Sequence, residues 1–167
     1  MVVKKEAMGI SAKEFSKKLK KLANLNELQK IAEIEIRKNE KALVGYKIAE
    51  YLDGNIYGEP DAKAYYSPYS MVEKGGTETY AEYKHKLNPF AGEGVVDLIL
   101  TGAFVESMYL LKPNNGKYLF DARDSKKSDI VDRYGNVFGL TQDAFNDFIY
   151  EYVANGFRNE LKTRLNG

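Results

Sequence analysis

The hydrophobic positions near the start of the chain recur at helical spacing. Phe15, Leu19 and Leu22 follow one another at steps of three or four residues among many lysines, which gives one narrow apolar stripe. Ser11 can cap such a helix because its hydroxyl accepts a hydrogen bond from a free backbone N–H. The pattern predicts a first helix and leaves open whether residues 1–25 form an extending helical arm or part of the core.

A second helical region is predicted from Asn26 to Leu52, with a break near residues 38–40. Apolar residues recur along it at three- and four-residue steps. Gly54 is well placed to end it, because glycine accepts the left-handed conformation that follows many helices. The predicted apolar positions are Leu28, Ile31, Ala32, Leu43, Tyr46, Ile48, Ala49 and Leu52.

A different pattern, typical of strands, begins at Val95. The short β-prone run Val95 to Leu100 predicts a strand, and a turn or short helical piece follows at 103–107. Met108 to Leu111 and Lys117 to Ala122 then flank residues 113–116, whose Asn-Gly step accepts positive φ. Such a step between β-prone segments favours a hairpin.

Two helices are predicted near the C-terminal end. Asp129 to Tyr134 forms a short helix ending at Gly135, residues 136–140 connect, and Thr141 can cap the last helix. Gly156 lies inside that helix and costs about 1 kcal/mol relative to alanine, which indicates close packing with another element or a bend. The broad apolar face of the last helix comprises Phe145, Phe148, Ile149, Tyr152, Val153, Phe157, Leu161 and Leu165.

These elements define a single-domain α+β protein with N-terminal helices, a small antiparallel sheet with a hairpin and a long C-terminal helix. The length of 167 residues fits one domain, and no repeat or linker divides it. No apolar run approaches the roughly 20 residues that span a bilayer, so no membrane association is expected. The absence of cysteine excludes disulfides and favours a reducing compartment such as the cytoplasm.

Charge argues against a general affinity for nucleic acid. The 25 Lys and Arg residues nearly cancel the 24 Asp and Glu residues, so no field of the whole molecule gathers phosphates. Lysines 17, 18, 20 and 21 are interpreted as the solvated face of the first helix, and those at 126 and 127, like Arg123, alternate with acids. Nucleic acid is therefore an unlikely partner.

The segment from Asn55 to Phe90 shows no clear period and is rich in tyrosine, glycine and proline. A loop of that length is uncommon in a compact domain unless it binds something or belongs to an assembly, and tyrosine is favoured at protein interfaces. For any one of these tyrosines, covering the core is at least as good an interpretation. The interface candidates are Tyr57, Tyr65, Tyr66, Tyr69, Tyr80 and Tyr83.

No pattern of catalytic or metal-binding residues stands out, and we expect no catalytic residue, no metal site and no cofactor. His85 is the sole histidine, which excludes a His–His metal pair, and the solvated loop expected around it favours a structural role. Asp53, Glu59 and Asp61 surround a glycine-rich turn, but their spacing is not that of an EF-hand. The glycines at 75–76 and 92–94 lack the lysine and hydroxyl residue of a P-loop.

Four short segments between Leu43 and Leu165 stand out as a set. They are Leu43-Val44-Gly45-Tyr46, Tyr66-Ser67-Pro68-Tyr69-Ser70, Leu100-Thr101-Gly102-Ala103-Phe104 with Ser107-Met108, and Tyr134-Gly135-Asn136-Val137-Phe138-Gly139-Leu140. In these segments the chain resembles the tail-completion and head-tail joining proteins of tailed bacteriophages. The resemblance implies a small structural subunit without enzymatic activity, whose long loops and tyrosine-rich surface pack onto neighbours in a ring.

The leading hypothesis is therefore a non-enzymatic virion protein of the phage neck or tail, assembled in the host cytoplasm. Its expected partners are other virion proteins (neck, portal-proximal or tail subunits) and further copies of itself in a homo-oligomeric ring. One alternative is a small hydrolase that uses scattered carboxylates, with or without a divalent metal. The other alternative is a nucleic-acid adaptor that uses the lysine face of the first helix.

Overall fold

The computed structural model describes residues 16, 17, 20, 24–67, 78–111 and 118–166. Lys17 and Lys20 are exposed in a helical conformation, as predicted for the solvated face of the first helix. Several predicted features lie outside the described residues: Ser11, Phe15, Lys18, Leu19, Lys21 and Leu22, the glycines at 75–76, the hairpin residues 113–116, and Tyr69.

The second helical region consists of two helices, α1 (Leu25–Lys38) and α2 (Glu40–Leu52), which meet at Asn39. The predicted break is confirmed. Asn24 caps α1, since its side chain accepts from the backbone N–H of Asn26 at 3.0 Å. Gly54 follows α2 with φ of +77° and ends the region as predicted.

The buried face of α2 differs in part from the predicted one. Leu43 is buried as expected, but Leu52 is 41% exposed, so its assignment to the apolar face was wrong. Lys47, Glu50 and Tyr51 are buried instead. The Lys47 ammonium accounts for the difference: it donates to the carbonyl oxygen of Ile56 at 3.1 Å and pairs with Glu50 at 3.2 Å, within the bend after α2.

The tyrosine-rich middle segment contains a helix, contrary to the prediction of a continuous loop. Helix α3 (Tyr80–Leu87) starts with a capping box in which Thr79 and Glu82 exchange hydrogen bonds. A 3₁₀ turn, Pro89–Ala91, follows it. His85 therefore lies in a helix and is partly buried, not in a solvated loop.

The strand predicted from Val95 to Leu100 is absent. Val95 makes one isolated antiparallel bridge with Tyr65, and Leu98 then adopts φ of +54°. A left-handed residue interrupts extended backbone. Residues 95–100 are thus an apolar bend and not a sheet strand.

The predicted antiparallel pair is confirmed by β1 (Met108–Leu110) and β2 (Phe120–Ala122), which pair with Leu110 opposite Phe120. The short helix α4 (Ala103–Glu106) precedes β1, in the position predicted for a helical piece. Side chains of the first two helices cover the outer edge of β1. Glu40 accepts from the N–H of Leu110 at 2.9 Å, and Arg37 donates to the carbonyl of Leu111 at 2.6 Å. Covering of this kind protects a strand edge from pairing with another chain.

The C-terminal part is helical, as predicted. Helix α5 (Lys127–Tyr134) ends at Gly135, and Thr141 caps α6 (Gln142–Phe148) by accepting from the N–H of Ala144 at 3.2 Å. One π-helical turn, Ile149–Val153, joins α6 to α7 (Ala154–Asn166), giving one long C-terminal helix.

Gly156 confirms the predicted close packing of this helix. A Cβ placed there would lie 2.0 Å from Oε2 of Glu35 on α1. Arg164 also reaches α1 through an ion pair with Glu27 at 3.0 Å. The last helix is thus fixed along α1, while its first turns pack on α2.

The predicted α+β fold is correct: helices surround one core and a two-stranded antiparallel sheet lies at its side. No helix in the described part of the chain is long and apolar enough to cross a membrane. The largest fully buried apolar side chains are those of Tyr51, Phe148, Ile31, Leu43, Ile56, Val96 and Val137.

Candidate functional site

A cavity of about 320 Å³ lies between α3, the segment from the apolar bend to the start of α4 (residues 98–104) and α5. Three tyrosines line it, Tyr66, Tyr80 and Tyr134, and we call it the tyrosine pocket. Its volume is at the lower end of the range of ligand pockets, so it can hold one or two side chains or a small molecule. Its apolar wall comprises Leu98, Leu100, Phe104 and Ile130.

Two of the predicted interface tyrosines, Tyr66 and Tyr80, line this pocket, and a third, Tyr83, packs on the ring of Tyr80. The rings of Tyr66 and Tyr80 lie edge to face with centroids 5.0 Å apart, and Tyr83 packs on Tyr80 at 6.3 Å. Burial raises the pKa of both Tyr66 and Tyr80, and the Asp97 carboxylate raises each further. Both hydroxyls therefore stay protonated at neutral pH and can act as hydrogen-bond donors.

A buried ion pair stands beside the pocket. The Lys84 ammonium, which also lines the cavity, lies 2.7 Å from Oδ1 of Asp97, and both side chains are 2% exposed. Asp97 accepts three further hydrogen bonds: from the Asn88 amide at 3.0 Å, the Ile99 N–H at 3.0 Å and the Tyr66 hydroxyl at 3.4 Å. Buried charges need such partners because desolvation is costly.

The local backbone places Asp97 in this position. Because Leu98 has positive φ, the chain turns so that the N–H of Ile99 returns to the Asp97 carboxylate, an arrangement typical of an Asx turn. The carbonyl of Ile99 accepts from Lys84. The apolar bend and α3 are thus joined by one polar network.

Charges of both signs surround the mouth of the pocket. Lys126 and Arg133 supply two cations, and Asp124 and Asp129 supply two carboxylates. Asp124 already accepts from the backbone N–H of Lys126 at 2.7 Å. Within the described residues, no ion pair forms at these four side chains. Leu100 is 45% exposed at the same mouth, so the rim is partly apolar.

The other predicted interface candidates lie elsewhere. Tyr57 packs against the core, where its carbonyl closely approaches Gly139, and this contact is structural. Tyr65 is 65% exposed beside the bridge to Val95 and does not line the pocket. Tyr69 lies outside the described residues.

A second exposed surface, the Phe90 patch, consists of Leu52, Leu87 and Phe90. Their exposed fractions are 41%, 52% and 81%. The amide of Asn88 donates to the carbonyl of Leu52 at 2.9 Å, which fixes the turn after α3 against the end of α2. Exposed apolar side chains grouped in this way are typical of binding surfaces.

The acidic residues considered for a cation do not form a site. Asp53, Glu59 and Asp61 are all exposed. In the described ranges of the chain, no three His, Asp or Glu side chains are close enough together to hold a metal ion. His85 has its Nδ1 buried without a hydrogen-bond partner among those residues.

Sequence reasoning missed most of the pocket, including Lys84, Arg133 and Tyr134, and it missed the adjoining Asp97. One available signal was the Thr79-x-x-Glu82 spacing, which is that of a capping box and marks the start of α3. Three of the four segments used for the phage-protein resemblance contribute to the pocket, through Tyr66, residues 100–104 and Tyr134.

The fold and the pocket together describe a small α+β protein with an aromatic cavity and exposed apolar surface. No model of a known protein family, no curated protein and no solved structure matches the chain.

Proposed function

We propose that the protein is a non-enzymatic subunit that binds other protein chains through the tyrosine pocket and the Phe90 patch. The observation that carries this proposal is that Tyr66, Tyr80 and Tyr134 converge at a cavity with a partly apolar rim. Tyrosine and arginine side chains around a pocket are the usual centres of binding energy in interfaces. Here Arg133 and the exposed Leu100 complete that composition.

The assembly that we propose is the neck or tail of a tailed bacteriophage, where the protein joins or completes the head-tail connection. The support is the resemblance in Tyr66 to Ser70, Leu100 to Phe104 and Tyr134 to Leu140. Of these segments, Tyr66, residues 100–104 and Tyr134 line the pocket. Two different binding surfaces, a pocket and an apolar patch, also suit the head-to-tail contacts of a ring. Its partners would be virion proteins and further copies of the chain.

Light scattering of the purified full chain tests this proposal, alone and mixed with neck and tail subunits. We expect oligomers whose mass is two or more times the 18.9 kDa of one chain, or complexes with those subunits. Replacing Phe90 with aspartate should weaken them, because it puts a charge on the most exposed apolar side chain of the patch. Tyr150→Asp is the matched control, since Tyr150 is 79% exposed on the last helix. A protein that stays monomeric at every concentration and with every virion subunit would contradict the proposal.

A further inference from the structure

We propose that the tyrosine pocket receives a carboxylate side chain of a partner subunit, held between the tyrosine rings with its oxygens facing Lys84. This inference rests on the proposed function in one respect, namely that the carboxylate belongs to a partner protein chain. The preference for a carboxylate rests on the hydrogen-bond donors of the pocket itself.

Lys84 provides the first argument. An ammonium group has three N–H donors, and in the described part of the chain two of them are used, by Asp97 Oδ1 and the Ile99 carbonyl. The side chain is 2% exposed and lines the cavity. A buried donor without an acceptor is costly, so an acceptor oxygen within the pocket would stabilise this arrangement.

The hydroxyls of Tyr80 and Tyr134 provide the second argument. Both residues line the cavity, and among the described residues neither hydroxyl has a hydrogen-bond acceptor. By contrast, the one carboxylate next to Lys84 is saturated: Asp97 takes Lys84, Asn88, Ile99 and Tyr66 as donors. Next to Lys84 the pocket therefore offers the third N–H of the ammonium and two hydroxyls as donors, while the Asp97 carboxylate there has no lone pair left to accept them.

The charged side chains at the mouth of the pocket do not oppose the binding of a carboxylate. Lys126 and Arg133 balance Asp124 and Asp129 at the rim, so the donors inside the cavity decide which group is favoured. The apolar wall, formed by Leu98, Phe104 and Ile130 among others, requires an apolar stem behind the charged group. A carboxylate on an aromatic or long aliphatic stem meets both conditions.

The test uses three small probes with one stem: 3-phenylpropionate, 3-phenylpropionamide and 3-phenylpropylamine. Each is titrated into the isotopically labelled full chain and followed by NMR. We expect the carboxylate to shift the signals of Tyr66, Tyr80 and Lys84, and to bind at least about tenfold more tightly than the amide or the amine, the effect of one charge-assisted hydrogen bond. Equal binding of all three probes, or shifts confined to other surfaces, would overturn the proposal.

Variants identify the donors. Tyr80→Phe and Tyr134→Phe remove only a hydroxyl, and each should weaken binding of 3-phenylpropionate several-fold. Tyr65→Phe is the control, because Tyr65 is 65% exposed and lies outside the cavity. If the two pocket variants bind 3-phenylpropionate as tightly as the control does, the hydroxyls are not ligands and the proposal is overturned.

A competition measurement tests the partner as the source of the carboxylate. Saturating 3-phenylpropionate should lower the mass of the complexes seen by light scattering, while the amine should not. If the probe binds but every complex persists, the pocket is not the contact and this inference fails although the proposed function stands. If no complex forms at all, the proposed function fails, and the titration still decides the chemistry of the pocket.

Discussion

Replacing Asp97 with asparagine removes the charge opposite Lys84 without changing the size of the side chain. Lys84 and Asp97 are both 2% exposed at the side chain, so the remaining ammonium stays buried without a counter-charge. The amide of Asn88 donates to the Asp97 carboxylate at 3.0 Å in the unmodified protein. In the variant, the N–H₂ group of the new asparagine would face this donor. Asn88 cannot turn over freely, because its amide also donates to the Leu52 carbonyl and its oxygen accepts from the N–H of Phe90.

The expected loss of unfolding free energy is about 3–5 kcal/mol, the cost of removing one partner of a buried pair. Lys84→Met should also destabilise the protein, because the buried Asp97 carboxylate then loses its counter-charge and keeps only its three neutral donors. The double variant should lose about 1–3 kcal/mol less than the sum of the single losses, since neither charge is then left alone. A domain stability of about 5–15 kcal/mol leaves these variants measurable.

Urea unfolding followed by far-UV circular dichroism measures these losses; tryptophan fluorescence does not apply, since the chain has no tryptophan. Lys86→Met is the matched control on the same helix. Lys86 pairs with Glu78 but its side chain is 73% exposed, so its loss should stay below about 1 kcal/mol. If Asp97→Asn costs no more than this control, or if the two single losses simply add, the buried pair is not the support of the pocket that we describe.

Two further predictions concern a pair of helix glycines and a buried lysine. Gly45→Ala should stabilise the protein by about 1 kcal/mol, because nothing lies within 4 Å of the added Cβ. Gly156→Ala should gain less, because its Cβ would lie 2.0 Å from Oε2 of Glu35 and that carboxylate, which pairs with Lys38, would have to move. Equal urea midpoints for the two variants would contradict the close contact between Gly156 and Glu35. Burial lowers the pKa of Lys47 from 10.5 to about 8. Between these two pH values Lys47 is protonated in the unfolded chain and largely neutral in the folded one. The free energy of unfolding should therefore rise with pH, by up to about 3 kcal/mol. The raised pKa of Tyr51 opposes this rise above about pH 10. Urea midpoints from pH 7 to 10 check this, and Lys47→Met should flatten the curve; an unchanged slope in that variant would assign the effect to another group.

The parts of the fold that the sequence pattern predicted are those with a local cause. Thr141 and the regular apolar steps after it define the last helix, and the β-prone segments on either side of residues 113–116 define the sheet. The strand expected from Val95 to Leu100 failed because a short apolar run fits a buried bend as well as a strand. Nothing in the run indicated that Leu98 takes positive φ.

The pocket could not be predicted from the sequence because its residues come from segments that are distant along the chain. Lys84 occupies a buried position of α3, and a lysine there conceals the apolar period by which a helix is recognised. Its partner Asp97 is 13 residues away, in the bend. Tyr66 and Tyr80 were selected as tyrosines of an irregular segment, but their meeting with Tyr134 depends on the packing of α5.

The most direct test of the central claim is photo-cross-linking from the pocket. Benzoylphenylalanine is placed at position 100 of the full chain, at the mouth of the pocket, and the chain is mixed with the neck and tail subunits of the proposed assembly. The same group at position 150, an exposed position on the last helix, serves as control. We predict that position 100 cross-links to one of these subunits or to a second copy, and that position 150 yields far less product. Complexes that contain the protein but give no cross-link from position 100 would contradict the account.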